Sequence, residues 1–331
     1  MSFRTVRLGF RAFAAAFLLT ATATWAQSPV LGSGRGVDHV TILSKSLVRL
    51  SRTYADLGFT IYPYGSDEGG FENSVVYFPD ETYLELYGIH DIAAVAKSSE
   101  PHAATAPEGL TWLTLHTSSA DRTATHLRGR GHKLFGPDTI KGSTGEWSYK
   151  LTGLETDALP GAKVYFIEYN EPVLNASRQR RIDMMRARET HRNGAQGLHA
   201  VWVGVKSLAD AEKAYRDAGF AVGERFALRA LAASAREIRT GGRALLLVEP
   251  STPESPVRQL LGSRTAAFIG YSVNVVELQQ TRSVLTERDL PVAPDYQGRF
   301  GRSILIPPEQ AGAAWLEFFE RPAAEPRPSR R

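Results

Sequence analysis

Length, composition and charge limit what this chain can be. Its 331 residues are enough for two domains with a sizeable core. It contains no cysteine, which excludes disulfide and thiolate chemistry. The formal net charge of +4 comes from the two ends, because residues 1–26 hold three arginines and no acid, and residues 321–331 hold four arginines and one glutamate. The body between them is slightly acidic, which argues against nucleic acid as a partner.

The first 26 residues have the form of a secretory signal peptide. Three arginines precede an apolar stretch at 12–19, and small residues then lead to a cleavage site at Ala26. The apolar stretch is too short for a transmembrane span, and no later segment is apolar enough to cross a membrane. The sequence therefore predicts an exported protein, periplasmic or secreted, that begins near Gln27.

The same short pattern then occurs four times along the chain. The copies begin at Gly36, Gly109, Gly197 and Ala266, and the first three align without a gap. Each copy reads as an alternating apolar strand, a polar turn, an amphipathic helix that ends in Gly or a polar substitute, and three strand-like stretches. Each unit is therefore predicted to be β-α-β-β-β. Because a single unit would expose one face of its sheet, the four units should form two pairs.

The repeats divide the chain into segments. After the signal peptide at 1–26, residues 27–170 hold the first two units and residues 197–320 hold the last two. Residues 171–196 are predicted to link the two halves. The tail at 321–331 is rich in Pro, Arg and Ala, which is typical of disorder.

Only the first copy carries a histidine in its opening strand. The positions that align with His39 in the other copies are Trp112, Ala200 and Gly270. The last strand of every unit carries a glutamate in an apolar run, namely Glu85, Glu168, Glu249 and Glu317. A glutamate among apolar neighbours is costly unless it is paired or ligated. Strand alternation places His39 and Glu85 on the face opposite to the apolar side chains, so both should face the concave side of the sheet.

This layout resembles the vicinal oxygen chelate superfamily, which has the glyoxalase-like fold. The stretches DHVTIL, LGFTIYP and YLELYG, with HRNGA at 191–195, are specifically similar to bacterial glyoxalase-like domain proteins. The resemblance covers about residues 36–320. It implies an α+β fold in which four β-α-β-β-β modules form two paired half-barrels, each curled around a cup. The fold hosts isomerases, lyases, ring-cleaving dioxygenases and metal-free binding proteins, so it does not by itself fix an activity.

The resemblance also implies a divalent metal held by the first and last strands of each module. In the first pair, His39, Glu85 and Glu168 would be the ligands, a set that suits Zn, Mn, Fe or Ni with open positions. The metal would polarise vicinal oxygens on a substrate, and whichever of Glu85 and Glu168 is not ligated would act as the catalytic base. The metal enzymes of the superfamily usually have a second His or Gln where Trp112 stands, so one ligand is missing.

Four more residues are predicted to bind substrate in the first cup. Trp112 and Trp147 would form an apolar wall, Thr41 shares the face of His39, and His116 would lie at the mouth. The second pair lacks the histidine, and we expect its cup to be degenerate and structural. His199 should face away from that cup unless a bulge turns it inward.

Two functions remain open. The first is a metal-dependent enzyme of the lyase or isomerase type, acting on a small oxygenated organic molecule. The second is a metal-free protein that binds or sequesters a small molecule in the same cup. Extradiol ring cleavage is excluded, because those enzymes carry their metal in the second pair, where Ala200 and Gly270 stand here. The expected partner is a small-molecule substrate, and the sequence also allows a homodimer.

Overall fold

The computed structural model describes residues 28–66, 69–142, 145–155, 158–161, 163–173 and 191–322. The predicted signal peptide, most of the predicted linker and nearly all of the predicted tail lie outside these residues. Among the helices of the described residues, none is long and apolar enough to cross a membrane.

Each half of the chain contains eight strands. The elements of the first half are β1 (Gly36–Ser44), α1 (Leu47–Asp56), β2 (Tyr62–Ser66), β3 (Phe71–Tyr77), β4 (Tyr83–Ile89), α2 (Ile92–Val95), a 3-10 turn (Pro101–Ala104), β5 (Gly109–His116), α3 (Ala120–Gly129), β6 (Leu134–Lys141), β7 (Trp147–Leu154) and β8 (Lys163–Tyr169). Those of the second half are β9 (Ala195–Val205), α4 (Leu208–Asp217), β10 (Ala221–Leu228), β11 (Ala233–Thr240), β12 (Arg243–Pro250), α5 (Pro256–Leu261), β13 (Ala266–Val275), α6 (Leu278–Glu287), β14 (Tyr296–Gln297), β15 (Arg302–Ile306) and β16 (Trp315–Glu320).

The strands form two sheets with the same topology. The first has the order β2-β3-β4-β1-β5-β8-β7-β6, and the second has the order β10-β11-β12-β9-β13-β16-β15-β14. Within each module the first and last strands are parallel, and two modules join through their first strands, which are antiparallel. The prediction of an α+β fold built from four β-α-β-β-β modules in two half-barrels is confirmed.

The helix ends follow the repeat that the sequence shows. The first three long helices are capped by a serine whose hydroxyl accepts a backbone N–H three residues on, at Ser46, Ser119 and Ser207. The residues after their C-caps have positive φ, at Gly58, Gly131 and Gly219. In the fourth copy Asp289 takes this place with φ of 53°, which is the predicted polar substitute.

The main hydrophobic core lies between the two half-barrels. It combines the outer faces of both sheets with all four long helices, and includes Val40, Tyr54 and Val203. The hydroxyl groups of Tyr54 and Tyr271 meet there at 2.7 Å, one from each half of the chain. Because Val40 and Ile42 of β1 pack into this shared core, the alternate residues of the strand face into the first cup.

The segment before β9 is packed rather than a free linker. His191 accepts a hydrogen bond from Thr60 N through Nδ1 (3.0 Å), and its Nε2 lies 2.9 Å from the carbonyl oxygen of Tyr77. The Asn193 side chain is fully buried and donates to the carbonyl oxygen of Leu57. Residues 191–194 therefore join the second half to the first module, and β9 begins at Ala195 inside the range we predicted as linker.

Candidate active site in the first half-barrel

The first half-barrel encloses an open cavity of about 600 Å³. Eight of its lining side chains are aromatic, and they are Phe71, Tyr77, Tyr83, Tyr87, Trp112, Tyr149, Tyr165 and Tyr169. Its ionisable polar groups include His39, Glu85 and Glu100, with Thr41 beside them. A cavity of this size, lined by aromatic side chains with a few convergent polar groups, is typical of a small-molecule site.

A bulge in β1 brings two neighbouring polar residues to this site. The register with β5 shifts between Val37 and His39, so Asp38 is the extra residue of the strand. Asp38 Oδ1 lies 2.8 Å from Nδ1 of His39 and also accepts from the hydroxyl of Tyr169 at 2.9 Å. Simple strand alternation predicts Asp38 on the opposite face, because it does not anticipate a bulge. The adjacent Asp–His pair was the only signal that could have revealed it.

His39 is held on three sides. Asp38 fixes its Nδ1, and the ring of Tyr83 stacks on it with centroids 4.2 Å apart. Its Nε2 lies 3.8 Å from Oε2 of Glu85, and the same oxygen accepts a hydrogen bond of 3.1 Å from the hydroxyl of Thr41. The structure thus brings together His39, Glu85 and Thr41, with Nε2 and the carboxylate both at the cavity.

The electrostatics of this group favour an ionised Asp38 and a basic His39. Burial by itself would lower the pKa of His39, but the Glu85 carboxylate, with the hydrogen bond to Asp38 and its charge, outweighs burial and raises that pKa above 6.5. Burial would raise the pKa of Asp38, but the hydrogen bond and charge of His39, helped by Tyr169, bring it below 3.8. Burial raises the pKa of Tyr83 well above 10.0, so its phenol stays neutral.

Glu168 is not part of this group. Glu85 pairs in register with Thr41, and the matching pair in the second module is Thr114 with Tyr165. Tyr165 therefore stands where Glu85 stands in the first module, and Glu168 lies three residues further along the strand, on the other face. Its Oε2 accepts a hydrogen bond of 2.8 Å from Ala120 N, the first residue of α3.

The four glutamates therefore fall into two structural classes. Glu249 accepts from Leu208 N at the start of α4, as Glu320 does from Leu278 N at the start of α6. Glu317, by contrast, accepts from the hydroxyl of Ser272 at 2.6 Å inside the second half-barrel, as Glu85 does from Thr41 in the first. The prediction that all four glutamates are equivalent is wrong, because Glu168 and Glu249 lie three residues beyond the position that corresponds to Glu85. The run WLEFFE, which holds both classes, was the sequence signal for this offset.

Of the four residues predicted to bind substrate, two line the cavity and two do not. Trp112 and Thr41 line the cavity, as expected of substrate-binding residues, but His116 and Trp147 are not among its lining residues. His116 lies behind Tyr169, with ring centroids 5.8 Å apart, and its Nδ1 accepts from Arg35 N. Trp147 has the ammonium group of Lys150 5.9 Å from its ring centroid.

The wall contributed by the second module has its own polar group. Glu100, from the connection between the two modules, accepts through Oε1 from Lys163 Nζ at 2.5 Å and from the hydroxyl of Tyr165. Its Oε2 is buried and has no hydrogen-bond partner among the described residues, and the same is true of Nε1 of Trp112. No sequence signal pointed to Glu100, which lies in an irregular connection outside the repeats.

Comparison with known families identifies the chain. The family model of the glyoxalase-like domain matches residues 37–225, more than half of the sequence. The chain belongs to the glyoxalase-like domain family. The sequence has no significant match among curated proteins.

Solved structures support the same fold. A mutant of 4-hydroxymandelate synthase from Streptomyces coelicolor is similar with a TM-score of 0.62 at 12% identity, over 88% of this chain and 94% of that one. A hypothetical protein from Staphylococcus aureus is similar with a TM-score of 0.56 at 13% identity, over 86% of this chain and 98% of that one. At these identities the likeness concerns the fold alone, here that of two glyoxalase-like half-barrels.

The residues of this glyoxalase-like cup do not fit the predicted metal centre. Of its three predicted ligands only His39 and Glu85 face one another, and among the described residues no three His, Asp or Glu side chains form a set that could hold a metal ion. The two remaining positions of the paired modules hold Trp112 and Tyr165. Indole nitrogen is a donor only, and burial followed by Glu100 raises the pKa of Tyr165 above 10.0, so neither supplies a good ligand.

The second glyoxalase-like cup is filled by its own side chains. Trp202 is fully buried in a cluster with Leu246 and Leu305, and its Nε1 donates to the hydroxyl of Ser272. Glu317 is 1% exposed, and burial raises its pKa above 4.5. His199 is at the position of Asp38, where the register again shifts, and its Nδ1 lies 3.0 Å from Arg321.

Proposed function

We propose that this protein is an enzyme of the lyase or isomerase type, which moves a proton on a small, uncharged, oxygenated organic molecule. The observation that carries the proposal is the position of His39. Its Nδ1 is held by the buried Asp38, and its Nε2 lies 3.8 Å from Glu85 in the wall of a 600 Å³ cavity. A histidine oriented by a carboxylate, with the other nitrogen open to a cleft, is a common general base.

The roles of the residues follow from this arrangement. The Nδ1–H of His39 donates to Asp38, so Nε2 carries the lone pair that takes a proton from substrate. Once His39 is protonated, the ionised Asp38 stabilises the imidazolium. Glu85 and Nε2 lie too far apart for a direct hydrogen bond, so the lone pair of Nε2 is available to a substrate hydrogen. Protonated His39 would return the proton to a neighbouring substrate atom, and the Glu85 carboxylate, oriented by Thr41, would accept a hydrogen bond from a substrate hydroxyl.

The charge of the cavity favours uncharged substrates. Its described lining residues include the carboxyl groups of Glu85 and Glu100 but no lysine or arginine. An anionic substrate would meet the Glu85 carboxylate and a Glu100 carboxylate that is already paired with Lys163, with no lysine or arginine among the described lining residues. Neutral molecules with hydroxyl or carbonyl groups avoid that penalty.

The test is hydrogen exchange at carbon. Neutral α-hydroxy ketones, from hydroxyacetone to 2-hydroxyacetophenone, would be incubated with the protein in D2O, and loss of the proton signal next to the carbonyl would be followed by NMR. We expect exchange with the natural chain and with Glu168→Gln, and a loss of about 100-fold with His39→Asn. Glu168→Gln is the matched control because it changes a carboxylate outside the cavity. Equal exchange in His39→Asn and the natural chain would refute the proposed role of His39.

A metal-free binding or sequestering protein is the second candidate. It is supported by Trp112 and Tyr165, which stand at two of the four positions where a paired module could hold a metal, and by the eight aromatic side chains of the lining. Ligand binding without exchange on any ketone of the panel, in the natural chain as in His39→Asn, would favour this candidate over the enzyme.

We also propose that residues 1–26 direct export and that the mature chain begins near Gln27. The support is the order of basic, apolar and small residues in that segment. N-terminal sequencing of the protein from a periplasmic fraction should read from Gln27. An intact Met1 on cytoplasmic protein would contradict the proposal.

A further inference from the structure

The cavity has two chemically different walls related by the repeat. The first module contributes His39 and Glu85, and the second module contributes Trp112 and Tyr165 at the corresponding positions. Glu100 lies over the second wall, since its Oε1 is bonded to Tyr165 and to Lys163, the register partner of Trp112. The proposed proton transfer uses only the first wall, so the polar groups of the second wall have no assigned role.

Two of these groups are buried and have no hydrogen-bond partner in the part of the chain that the structure describes. They are Oε2 of Glu100, an acceptor, and Nε1 of Trp112, a donor on a residue that is 7% exposed. His102 lies near both, with Nε2 3.4 Å from Glu100 Oε2 and its ring centroid 6.5 Å from that of Trp112. A buried polar atom without a partner is costly, so a donor and an acceptor of this kind on the side chains of one cavity wall point to a ligand.

The unpaired acceptor of Glu100 and the unpaired donor of Trp112 together favour one kind of ligand group. A carboxylate could accept from Trp112 but has no hydrogen to donate to Oε2 of Glu100. An ammonium group could donate to Glu100 but would leave Trp112 without an acceptor. A hydroxyl group both donates and accepts, carries no charge, and is the smallest group that satisfies both atoms.

The residues around Glu100 and Trp112 favour a ligand whose hydroxyl group is attached to an aromatic ring. The rings of Phe71 and Tyr87 stand edge-on to the indole of Trp112, with centroids 6.0 and 5.6 Å away. The three rings form one cluster with Tyr165, and all four side chains line the cavity. Such a wall accepts a planar ring in stacked or edge-to-face contact.

We propose that Glu100 and Trp112 form a subsite for the hydroxyl group of a neutral aromatic molecule, which donates to Glu100 and accepts from Trp112. The substrate class of the enzyme is then a neutral hydroxylated arene with its reacting carbon against His39 and Glu85. This assignment rests on the proposed function for the chemistry, but the binding of the hydroxyl does not depend on His39.

The probes are four small arenes that differ only in the polar group. They are 4-methylphenol, its methyl ether 4-methylanisole, the anion 4-methylbenzoate and the cation 4-methylbenzylammonium. Titrations of the full-length protein would give dissociation constants, and the indole N–H signal of Trp112, assigned by its absence in Trp112→Phe, would report the contact. We expect 4-methylphenol to bind at least about tenfold more tightly than the other three and to shift that signal.

The variants test which groups are responsible. Glu100→Gln should reduce the preference for the phenol over its ether to less than about threefold. Trp112→Phe should weaken the binding of both, because the oxygen of either molecule can accept from the indole N–H. Glu108→Gln is the matched control, because this carboxylate lies near Glu100 in sequence but bonds to Ser44 and Arg49 outside the cavity. It should leave the preference unchanged. Circular dichroism would establish that each variant is folded.

Other outcomes overturn the subsite. Equal binding of the phenol and the ether, tighter binding of the anion or the cation, or no shift of the Trp112 signal would each refute it. His39→Asn separates the two proposals, since it should lower hydrogen exchange about 100-fold and keep phenol binding. Exchange without phenol selectivity refutes the subsite alone, and phenol selectivity without exchange on any ketone refutes the proposed reaction alone.

Discussion

A single extra residue in β1 determines the chemistry of the first half-barrel. In a regular strand Asp38 and His39 would face opposite sides, and the bulge instead places the carboxylate against Nδ1 of His39. The imidazole thereby acquires a fixed orientation, and Nε2 is left for the cavity. In the third module the corresponding bulge carries His199 beside Arg321, so the backbone device is repeated while the chemistry is not.

The first prediction at this scale concerns Asp38→Asn. The amide can still accept from Nδ1 of His39, but its charge is lost, so the pKa of His39 should fall relative to the natural chain. NMR titration of the His39 ring proton measures this directly. Because the folded pKa of His39 is raised above 6.5, its protonated form stabilises the fold below pH 6.5, and this contribution disappears as the pH rises through the folded value. Asp38→Asn should therefore lower the free energy of unfolding more at a pH below 6.5 than at a pH above the folded pKa of His39. An unchanged pKa would mean that Asp38 does not tune this histidine.

The second prediction concerns Glu317 in the filled second cup. Burial raises its folded pKa above 4.5, so the natural chain loses stability as the pH rises from 4.5 towards that folded value. Glu317→Gln keeps hydrogen-bonding atoms near Ser272 and Tyr296 and has no proton to lose. Urea unfolding at a series of pH values should show that the free energy of unfolding of the variant rises, relative to that of the natural chain, between pH 4 and pH 8. A constant difference across that range would contradict a raised pKa.

At the scale of elements, the same offset in each module connects a strand to a helix. In each module, the residue three positions after the one that corresponds to Glu85 lies next to the first backbone N–H of the long helix. Glu168, Glu249 and Glu320 occupy that position in the last three modules. In the first module the position is Gly88, where an added Cβ would lie 2.6 Å from that of Leu47. These carboxylates satisfy free N–H groups and face the positive end of the helix.

Glu168→Ala tests whether this carboxylate stabilises the start of α3. Removal of the carboxylate leaves Ala120 N without its acceptor at the start of α3, and the expected cost is about 1 kcal/mol of unfolding free energy. Chemical denaturation would measure the loss, and NMR should show the His39 titration unchanged. A shifted pKa of His39 in this variant would show that Glu168 belongs to the cavity group after all.

At the scale of the whole molecule, the two half-barrels share one core. The outer faces of both sheets and the four long helices pack together, so neither half buries its apolar surface alone. Close backbone contact reinforces this joint: Gly36 has φ of +86°, and a Cβ there would lie 1.4 Å from the carbonyl oxygen of Thr240. The arrangement leaves the first cup open while the second is filled by Trp202 and its neighbours.

The prediction at this scale is that the two halves unfold together. Tyr54 and Tyr271 join them through a buried contact between their hydroxyls, so Tyr54→Phe should cost about 1–3 kcal/mol by leaving the Tyr271 hydroxyl unpaired. Tyr271→Phe should cost less, because the Tyr54 hydroxyl also donates to the carbonyl oxygen of Ala311 at 3.4 Å. The double variant should cost less than the sum of the two. Urea unfolding followed by fluorescence and circular dichroism measures all four proteins. Two separate transitions, or strictly additive losses, would contradict a shared core.

The repeat, the module plan and the pairing of modules follow from the sequence alone. They depend on local periodicity and on the need to bury one face of each sheet, both of which are visible in the order of apolar residues. The position of His39, Glu85 and Trp112 at one cup follows from the same alternation. These parts of the site required no knowledge of the tertiary structure.

Other parts depended on contacts between segments that are distant in sequence. A bulge reverses the face of Asp38, and a three-residue offset sends Glu168 to a helix end, although both lie in apolar strands with the expected pattern. Glu100 reaches the cavity from an irregular connection, where no periodicity exists to predict its direction. Strand alternation has a period of two, so a shift of one residue moves a side chain from one face to the other. The sequence therefore determined which strands build the cup, and only the tertiary structure decided which polar groups face into it.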